Sequence, residues 1–213
     1  MAVGDEVILS DGEGKEFFCI LESIRDEECV ARIEAEEISS AEPKSEITLY
    51  MAYPKGDKLE TVVQKAVELG CARIVPFISS RCIKRPQEDK ADKQTARLGK
   101  IAAEAAKQCG RGRLPLVEKT RSIKDIASEL SSYSLSLFCY EGDGTRSLRD
   151  VLENSDLPPT VAVVVGSEGG FSPEEAKMLV EKGALAVNLG PRILRCETAP
   201  DYVLAALSYR FEL

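Results

Sequence analysis

The stretch TVAVVVGSEGGFSPEE at residues 160–175 decides the fold, because it leads from a buried strand directly into a capped helix. Its first six residues are an apolar, mostly β-branched run, which predicts a strand buried on both faces. Ser172, Pro173 and Glu175 supply the N-cap, the first-turn proline and the capping-box partner of a helix. A strand followed at once by a helix is typical of a parallel α/β sheet.

The same alternation continues on both sides of this stretch. Apolar runs predict four more strands, at residues 47–53, 72–78, 135–140 and 184–189. Apolar residues at helical spacing predict helices that start at Asp57, cover 92–109 and 122–130, and run from Thr198 towards Tyr209. Such a sheet is covered by helices on both faces and binds ligands at the carboxyl ends of its strands.

The helix starts at Asp57 and Thr198 also carry capping signals. Glu60 follows Asp57 by three residues, and Asp201 follows Thr198 by the same distance. This spacing predicts a capping interaction at both N-termini.

The first 45 residues have a different pattern. Short β-rich runs at 6–9, 17–24 and 29–33 are separated by turn-like segments, and the polar stretch 34–46 contains Pro43. We therefore expect a small β domain over 1–45, a linker within it from residue 34, and an α/β domain over 46–213.

Composition excludes several kinds of chemistry. The chain has 213 residues, a net charge of −8 and no histidine, so Ser-His-Asp and Cys-His nucleophiles and histidine-ligated zinc are excluded. The seven cysteines form no CxxC pair, which indicates a reducing cytoplasm and no metal. No apolar run is long enough to cross a membrane.

Charge is distributed unevenly along the chain. Residues 1–46 hold 14 acids and 4 bases, whereas residues 81–121 hold 12 bases and 5 acids. The basic segment is either a surface that contacts phosphate or an ordinary solvated face.

A second loop, LGPRILRCETA at residues 189–199, lies between a predicted strand and the last predicted helix. Arg192 and Arg195 flank an Ile-Leu pair, and Glu197 follows them. A salt-bridged connection explains this pattern in structural terms. Two arginines that look buried, at a strand end beside a glycine loop, are however unusual for a purely structural connection.

Together the two loops resemble the SPOUT superfamily of knotted methyltransferases, and more closely the RsmE family, which methylates N3 of a uridine in small-subunit ribosomal RNA. The family has Gly-Pro-Glu-Gly-Gly-Phe and Leu-Gly-x-Arg-Ile-Leu-Arg-Thr-Glu-Thr-Ala at these places. Ser167 replaces a proline and Cys196 replaces a threonine. Other stretches match in the same order, at 54–57, 65–66, 68–70, Pro76, 104–106, Gln108, Arg111 and Pro115.

The resemblance implies a SPOUT-type parallel sheet with a C-terminal trefoil knot. It also implies a small N-terminal PUA-like β-barrel over 1–45 that binds RNA. Because members of the family have more residues before the segment that matches Val3, we expect this barrel to be incomplete. The family also implies a homodimer, for which the last helix offers a stripe of Val203, Leu204, Leu207 and Phe211.

The cofactor implied by the resemblance is S-adenosylmethionine, bent within the knot. The residues expected to bind it are Tyr140, Glu141, Gly166, Ser167, Glu168, Gly169, Gly170, Leu189, Gly190, Arg192, Ile193, Leu194, Thr198 and Ala199.

Uridine N3 carries a proton and is a poor nucleophile while it keeps it. Arg192 and Arg195 are the candidates that stabilise charge on the neighbouring carbonyl oxygen. Glu168 is either a general base or a salt-bridge partner that holds the glycine loop. Lys55, Gln108, Arg111 and Arg113 are the residues expected to bind RNA, which must present a flipped uridine.

Two other functions remain open from the sequence. The first is a SPOUT methyltransferase that acts on tRNA or on a ribose 2'-hydroxyl. The second is a non-catalytic RNA-binding protein of ribosome assembly.

Overall fold

The computed structural model of the chain describes residues 1–86 and 88–213. These residues form two compact units by their internal contacts. The first unit comprises Met1–Glu42 and Ala106–Leu114, and the second comprises Pro43–Ala105 and Pro115–Leu213. Within the described residues, no helix is long and apolar enough to cross a membrane.

The first unit is built on an antiparallel sheet of β1 (Glu6–Ser10), β2 (Lys15–Ile24) and β3 (Cys29–Ile38). The strands lie in the order β1-β2-β3, and a closed barrel is not formed by the residues described. The three predicted strands are confirmed. The predicted linker is wrong over residues 34–38, because β3 continues to Ile38 with small or apolar residues among its glutamates.

The segment Ala106–Leu114 belongs to this first unit, although it lies far away in sequence. The amide of Gly14 donates to the carbonyl oxygen of Gly112 at 3.0 Å, and the Ser10 hydroxyl donates to the same oxygen at 2.8 Å. The Arg111 guanidinium, only 3% exposed, pairs with the Glu42 carboxylate at 2.7 Å. Burial would raise the pKa of Glu42, but hydrogen bonds from Arg111 and from the Arg113 amide lower it.

The second unit is built on a parallel sheet, as predicted. Its strands are β4 (Glu46–Ala52), β5 (Arg73–Ile78), β6 (Leu116–Val117), β7 (Arg121–Ser122), β8 (Leu135–Cys139), β9 (Arg146–Ser147), β10 (Thr160–Val165) and β11 (Leu185–Asn188). They lie in the order β6-β5-β4-β10-β8-β11-β9, and β7 also pairs with β5. The short strands β6, β7 and β9 were not predicted, because two residues give no periodicity to detect.

Six helices connect the strands of the described chain. They are α1 (Lys58–Glu68), α2 (Ala91–Cys109), α3 (Ile123–Glu129), α4 (Leu148–Glu153), α5 (Pro173–Glu181) and α6 (Thr198–Phe211). All except the short α4 were predicted. The capping box of Ser172 and Glu175 is present at the start of α5.

The two other predicted caps are wrong. Asp57 at the start of α1 has φ −103° and ψ 13°, outside the extended region of an N-cap, and its side chain makes no capping bond. At α6 the N-cap residue is Glu197, and no side chain caps the helix. Asp201 instead pairs with Lys65 at 2.9 Å.

The core of the second unit surrounds the central strand β10. Val161–Val165 are at most 1% exposed, because both faces of the sheet are covered. Most of the predicted dimer stripe of α6 also belongs to this core: Val203, Leu204 and Leu207 are buried. These three residues therefore pack within the chain and are not free for a second copy.

The central sheet brings three loops to one edge. Because β10, β8 and β11 are parallel neighbours, the segments after Val165, Cys139 and Asn188 leave the sheet side by side. These are the loops in which the sequence predicts a ligand site.

Candidate active site

A cavity of about 870 Å³ lies at this edge. All the residues predicted to bind the cofactor line it, except Thr198. Arg195 lines it as well. The lining residues that were not predicted from sequence include Lys58, Arg81, Gly142 and Asn188.

One wall of the cavity is the glycine loop, residues 166–171. It turns back on itself, with the Gly170 amide donating to the Ser167 carbonyl oxygen at 2.9 Å, and Gly170 has φ +63°. A side chain on Gly169 would place its Cβ 2.9 Å from the Cβ of Arg81 and 3.1 Å from the Arg81 carbonyl oxygen. Arg81 also donates to the carbonyl oxygen of Gly169 at 3.0 Å. The loop is therefore packed tightly against residue 81.

The capping box of α5 fixes the far end of the glycine loop. One carboxylate oxygen of Glu175 accepts the Ser172 amide at 2.9 Å, and the other accepts the Ser80 amide at 2.6 Å. The Phe171 ring packs against Phe77 and Phe138, with ring centroids 6.4 and 5.9 Å away. Local sequence thus creates the cap, and the same carboxylate ties the loop to the segment after β5.

A second wall is the arginine loop, residues 189–197. The side chains of Arg192 and Arg195 are exposed, contrary to the expectation that they are buried, and make no hydrogen bond or ion pair with the residues described. The backbone groups of residues 191–194 also make no hydrogen bond within residues 1–86 and 88–213. This wall offers unpaired donors and acceptors to a ligand.

The third wall follows β8. The Tyr140 amide donates to the Val187 carbonyl oxygen at 3.0 Å, and the Tyr140 ring packs on Phe138. A Cβ on Gly142 would lie 2.4 Å from the Tyr140 ring. Gly142 is therefore the residue that lets the chain pass over this ring, and sequence reasoning missed it.

The Glu168 carboxylate is held by one ammonium group and by backbone amides. Its carboxylate accepts the Lys58 ammonium at 3.0 Å and the Lys55 amide at 3.1 Å. Partial burial would raise the pKa of Glu168, but these bonds and one from its own amide lower it. This geometry favours the salt-bridge interpretation over a general base, because a carboxylate with a lowered pKa is a weaker proton acceptor.

Glu197 pairs with the same ammonium group, that of Lys58. Lys58 contacts its carboxylate at 3.1 Å, and the Cys196 thiol donates to it at 3.2 Å. Burial, together with this hydrogen bond, raises the pKa of Cys196 to about 12. Lys58 could not be predicted from sequence because its partners lie more than a hundred residues away. The adjacent match at 54–57 was the available signal.

The residues predicted to bind RNA differ in exposure. Lys55 is exposed in the second unit, and Gln108 and Arg113 are exposed in the first. Arg111 is buried against Glu42, so it does not belong to the solvated surface of the basic segment. Among the residues described, no group of histidine, cysteine, aspartate or glutamate is arranged to hold a metal ion.

Comparisons with known proteins agree with this geometry. Residues 41–208 match the RNA methyltransferase domain, and residues 1–34 match the RNA methyltransferase PUA domain. The chain is 33% identical to the ribosomal RNA small subunit methyltransferase E of Bacillus subtilis, over 100% of this chain and 85% of that protein.

Solved structures extend the similarity. A ribosomal RNA small subunit methyltransferase E of Neisseria gonorrhoeae, bound to S-adenosyl methionine, has a TM-score of 0.87 at 32% identity, covering 98% of this chain and 84% of that one. A methyltransferase of Legionella pneumophila in complex with the same cofactor has a TM-score of 0.85 at 32% identity, with the same coverage. The chain therefore belongs to the family of RNA methyltransferases that includes the ribosomal RNA small subunit methyltransferases E.

Proposed function

We propose that this protein transfers a methyl group from S-adenosylmethionine to N3 of a specific uridine in small-subunit (16S) ribosomal RNA. The observation that carries the proposal is the arginine loop: two exposed, unpaired guanidinium groups beside unpaired backbone at one cavity. The RsmE-named relatives support the RNA substrate, and their bound cofactor supports the methyl donor.

The cavity residues fit this cofactor. A volume of about 870 Å³ is within the range of cofactor sites. Adenine and ribose need several hydrogen-bonding partners, and the free backbone groups of residues 191–194 offer them. Tyr140, Leu189 and Leu194 provide apolar surface, and Gly166–Gly170 provide close backbone. The bound cofactor supplies an activated methyl group on a sulfonium.

The residues of the chain then have separate roles. Arg195, assisted by Arg192, holds the negative charge that develops on a uracil carbonyl oxygen as N3 loses its proton. Glu168 keeps the glycine loop in place through Lys58, and the N3 proton passes to water. Holding the flipped base against the methyl group contributes through proximity.

RNA contact is assigned to exposed residues. Lys55 in the second unit, and Gln108 and Arg113 in the first, are the side chains proposed to hold phosphate or a flanking base. A direct contact through Arg111 is disfavoured by its burial, and Arg111 is assigned the role of holding its own segment.

Three further features are proposed on the family resemblance. The first is a C-terminal trefoil knot, supported by the meeting of the three loops at one sheet edge. The second is a homodimer, for which Tyr202 and Tyr209 of α6 remain exposed at 46% and 76%. The third is a cytoplasmic location, supported by seven free cysteines.

Product mapping tests the proposal. The protein is incubated with small ribosomal subunits and labelled S-adenosylmethionine, and the labelled nucleoside is identified by mass spectrometry. We expect 3-methyluridine. A 2'-O-methylated nucleoside, or label only in added tRNA, would establish one of the alternative methyltransferase activities. Cofactor binding without any transfer would support a role in assembly.

A further inference from the structure

We propose that Lys58 is a positioning residue that clamps the glycine loop to the arginine loop and thereby sets the place of Arg195. The inference rests on the proposed function for its catalytic consequence. Its structural consequence is independent of any ligand.

The clamp consists of one ammonium and two carboxylates. Lys58 is the first residue of α1, and its Nζ lies 3.0 Å from Glu168 and 3.1 Å from Glu197. Glu168 is part of the glycine loop and Glu197 ends the arginine loop. One side chain from a third segment therefore joins two walls of the same cavity.

Loss of Lys58 would do more than remove two ion pairs, because it would leave two carboxylates close together. Both carboxylates accept bonds from the same ammonium, so they face each other across a short distance. With Lys58 present, each carboxylate has an opposite charge beside it. Without Lys58, two negative groups would repel and would separate the loops that carry them.

The clamp reaches Arg195 through a tight turn. The Arg195 carbonyl oxygen accepts the amides of Thr198 at 2.9 Å and Ala199 at 3.0 Å, which encloses Glu197 in the turn. Fixing the Glu197 carboxylate therefore fixes the backbone of Arg195, while the Arg195 guanidinium stays unpaired. Such preorganisation is what a charge-stabilising group requires.

The chain contains a matched control for this ion pair. Lys65, two turns further along α1, pairs with Asp201 of α6 at 2.9 Å. Neither residue lines the cavity. Loss of this ion pair removes a comparable contact between α1 and α6, and it leaves the glycine loop and the arginine loop untouched.

Hydrogen exchange of the ligand-free protein tests the clamp directly. In Lys58→Met, the amides of Gly170, Thr198 and Ala199 should exchange about tenfold faster than in the native protein, the size expected for a lost charged hydrogen bond. In Lys65→Met these three amides should keep the native rate. Lys58→Arg, which retains the charge, should restore most of the protection.

Binding and turnover complete the test. We expect Lys58→Met to weaken S-adenosylhomocysteine binding by calorimetry about tenfold, and to lower single-turnover methyl transfer further at saturating cofactor. Equal exchange rates in Lys58→Met and Lys65→Met would overturn the clamp. If the native protein binds no S-adenosylhomocysteine, the proposed function fails, while the exchange result still decides the clamp.

Discussion

The glycine loop and the arginine loop line the same cavity but are built in opposite ways. Residues 166–171 are fixed by a capping carboxylate, by packing on residue 81 and by stacked rings. Residues 189–197 are held at their ends, whereas the stretch 191–194 makes no hydrogen bond within the described chain.

Under the proposed function, this difference in hydrogen bonding makes the glycine loop a supporting wall and the arginine loop a reacting wall. An unpaired polar group gains a hydrogen bond when a ligand binds, whereas a paired donor must exchange one. On the same proposal, the glycine loop shapes the cavity, and the arginine loop supplies the groups that bind the cofactor and stabilise charge. Substitutions in the first should act on stability, and substitutions in the second should act on activity.

The largest effect is expected for Arg195→Ala. Single-turnover methyl transfer should fall about 100-fold, because the guanidinium meets charge that is present only in the transition state. Affinity for S-adenosylhomocysteine should stay within about threefold, and the free energy of unfolding within about 0.5 kcal/mol. Arg149→Ala on α4 is the control, since Arg149 does not line the cavity. A large loss of stability in Arg195→Ala would contradict an unpaired, reacting loop.

The next effect is expected for Glu175→Gln in the supporting wall. Glutamine retains one acceptor oxygen for two amides, so the free energy of unfolding should fall by about 2 kcal/mol. Urea denaturation measures this change. Glu181→Gln, at the exposed other end of the same helix, should change stability by less than about 0.5 kcal/mol. Equal stability of the two variants would mean that the cap does not hold the loop.

Two glycine substitutions test the walls separately. Gly169→Ala should cost about 1–3 kcal/mol, because its Cβ meets the Arg81 backbone and forces the loop to shift. In Gly190→Ala the new Cβ has no atom within 4 Å. The free energy of unfolding should therefore fall by only about 1 kcal/mol, because of the φ of +102° alone. Thermal denaturation compares the two variants. A larger loss in Gly190→Ala would reverse the assignment of the rigid wall.

The supporting wall could be predicted from sequence because its determinants are local. The apolar run before Gly166 and the Ser172, Pro173 and Glu175 cap lie within sixteen consecutive residues, and strand, turn and helix form as expected. The caps at Asp57 and Thr198 have similar spacing but fail. Asp201 pairs with Lys65 instead, so tertiary contact overrides a local signal.

The remaining features depend on contacts between residues distant in sequence. Lys58 meets partners 110 and 139 residues away, as the residue numbers show, and no local pattern marks such a pair. The burial of Arg111 has the same kind of cause. A basic stretch suggests an exposed surface, but Glu42 and the sheet of the first unit bury this side chain. Burial of a charged residue depends on its partner, which the linear pattern does not reveal.

The smallest effect is expected from acid, and it tests the clamp between the two walls. Hydrogen bonds, including those from Lys58, lower the pKa values of Glu168 and Glu197 below their ordinary 4.5, although partial burial acts in the opposite direction. The unfolded chain therefore takes up these protons first as the pH falls. The stabilisation is complete above about pH 5.5 and is lost as the pH drops through the lowered pKa values. Since both carboxylates are about a quarter exposed, each should contribute less than about 1 kcal/mol.

Urea denaturation of the native protein and of the Glu168→Gln/Glu197→Gln double variant, between about pH 7 and about pH 4, measures the difference. The stability advantage of the native protein should shrink towards acid, and an advantage independent of pH would show that Lys58 does not lower these pKa values.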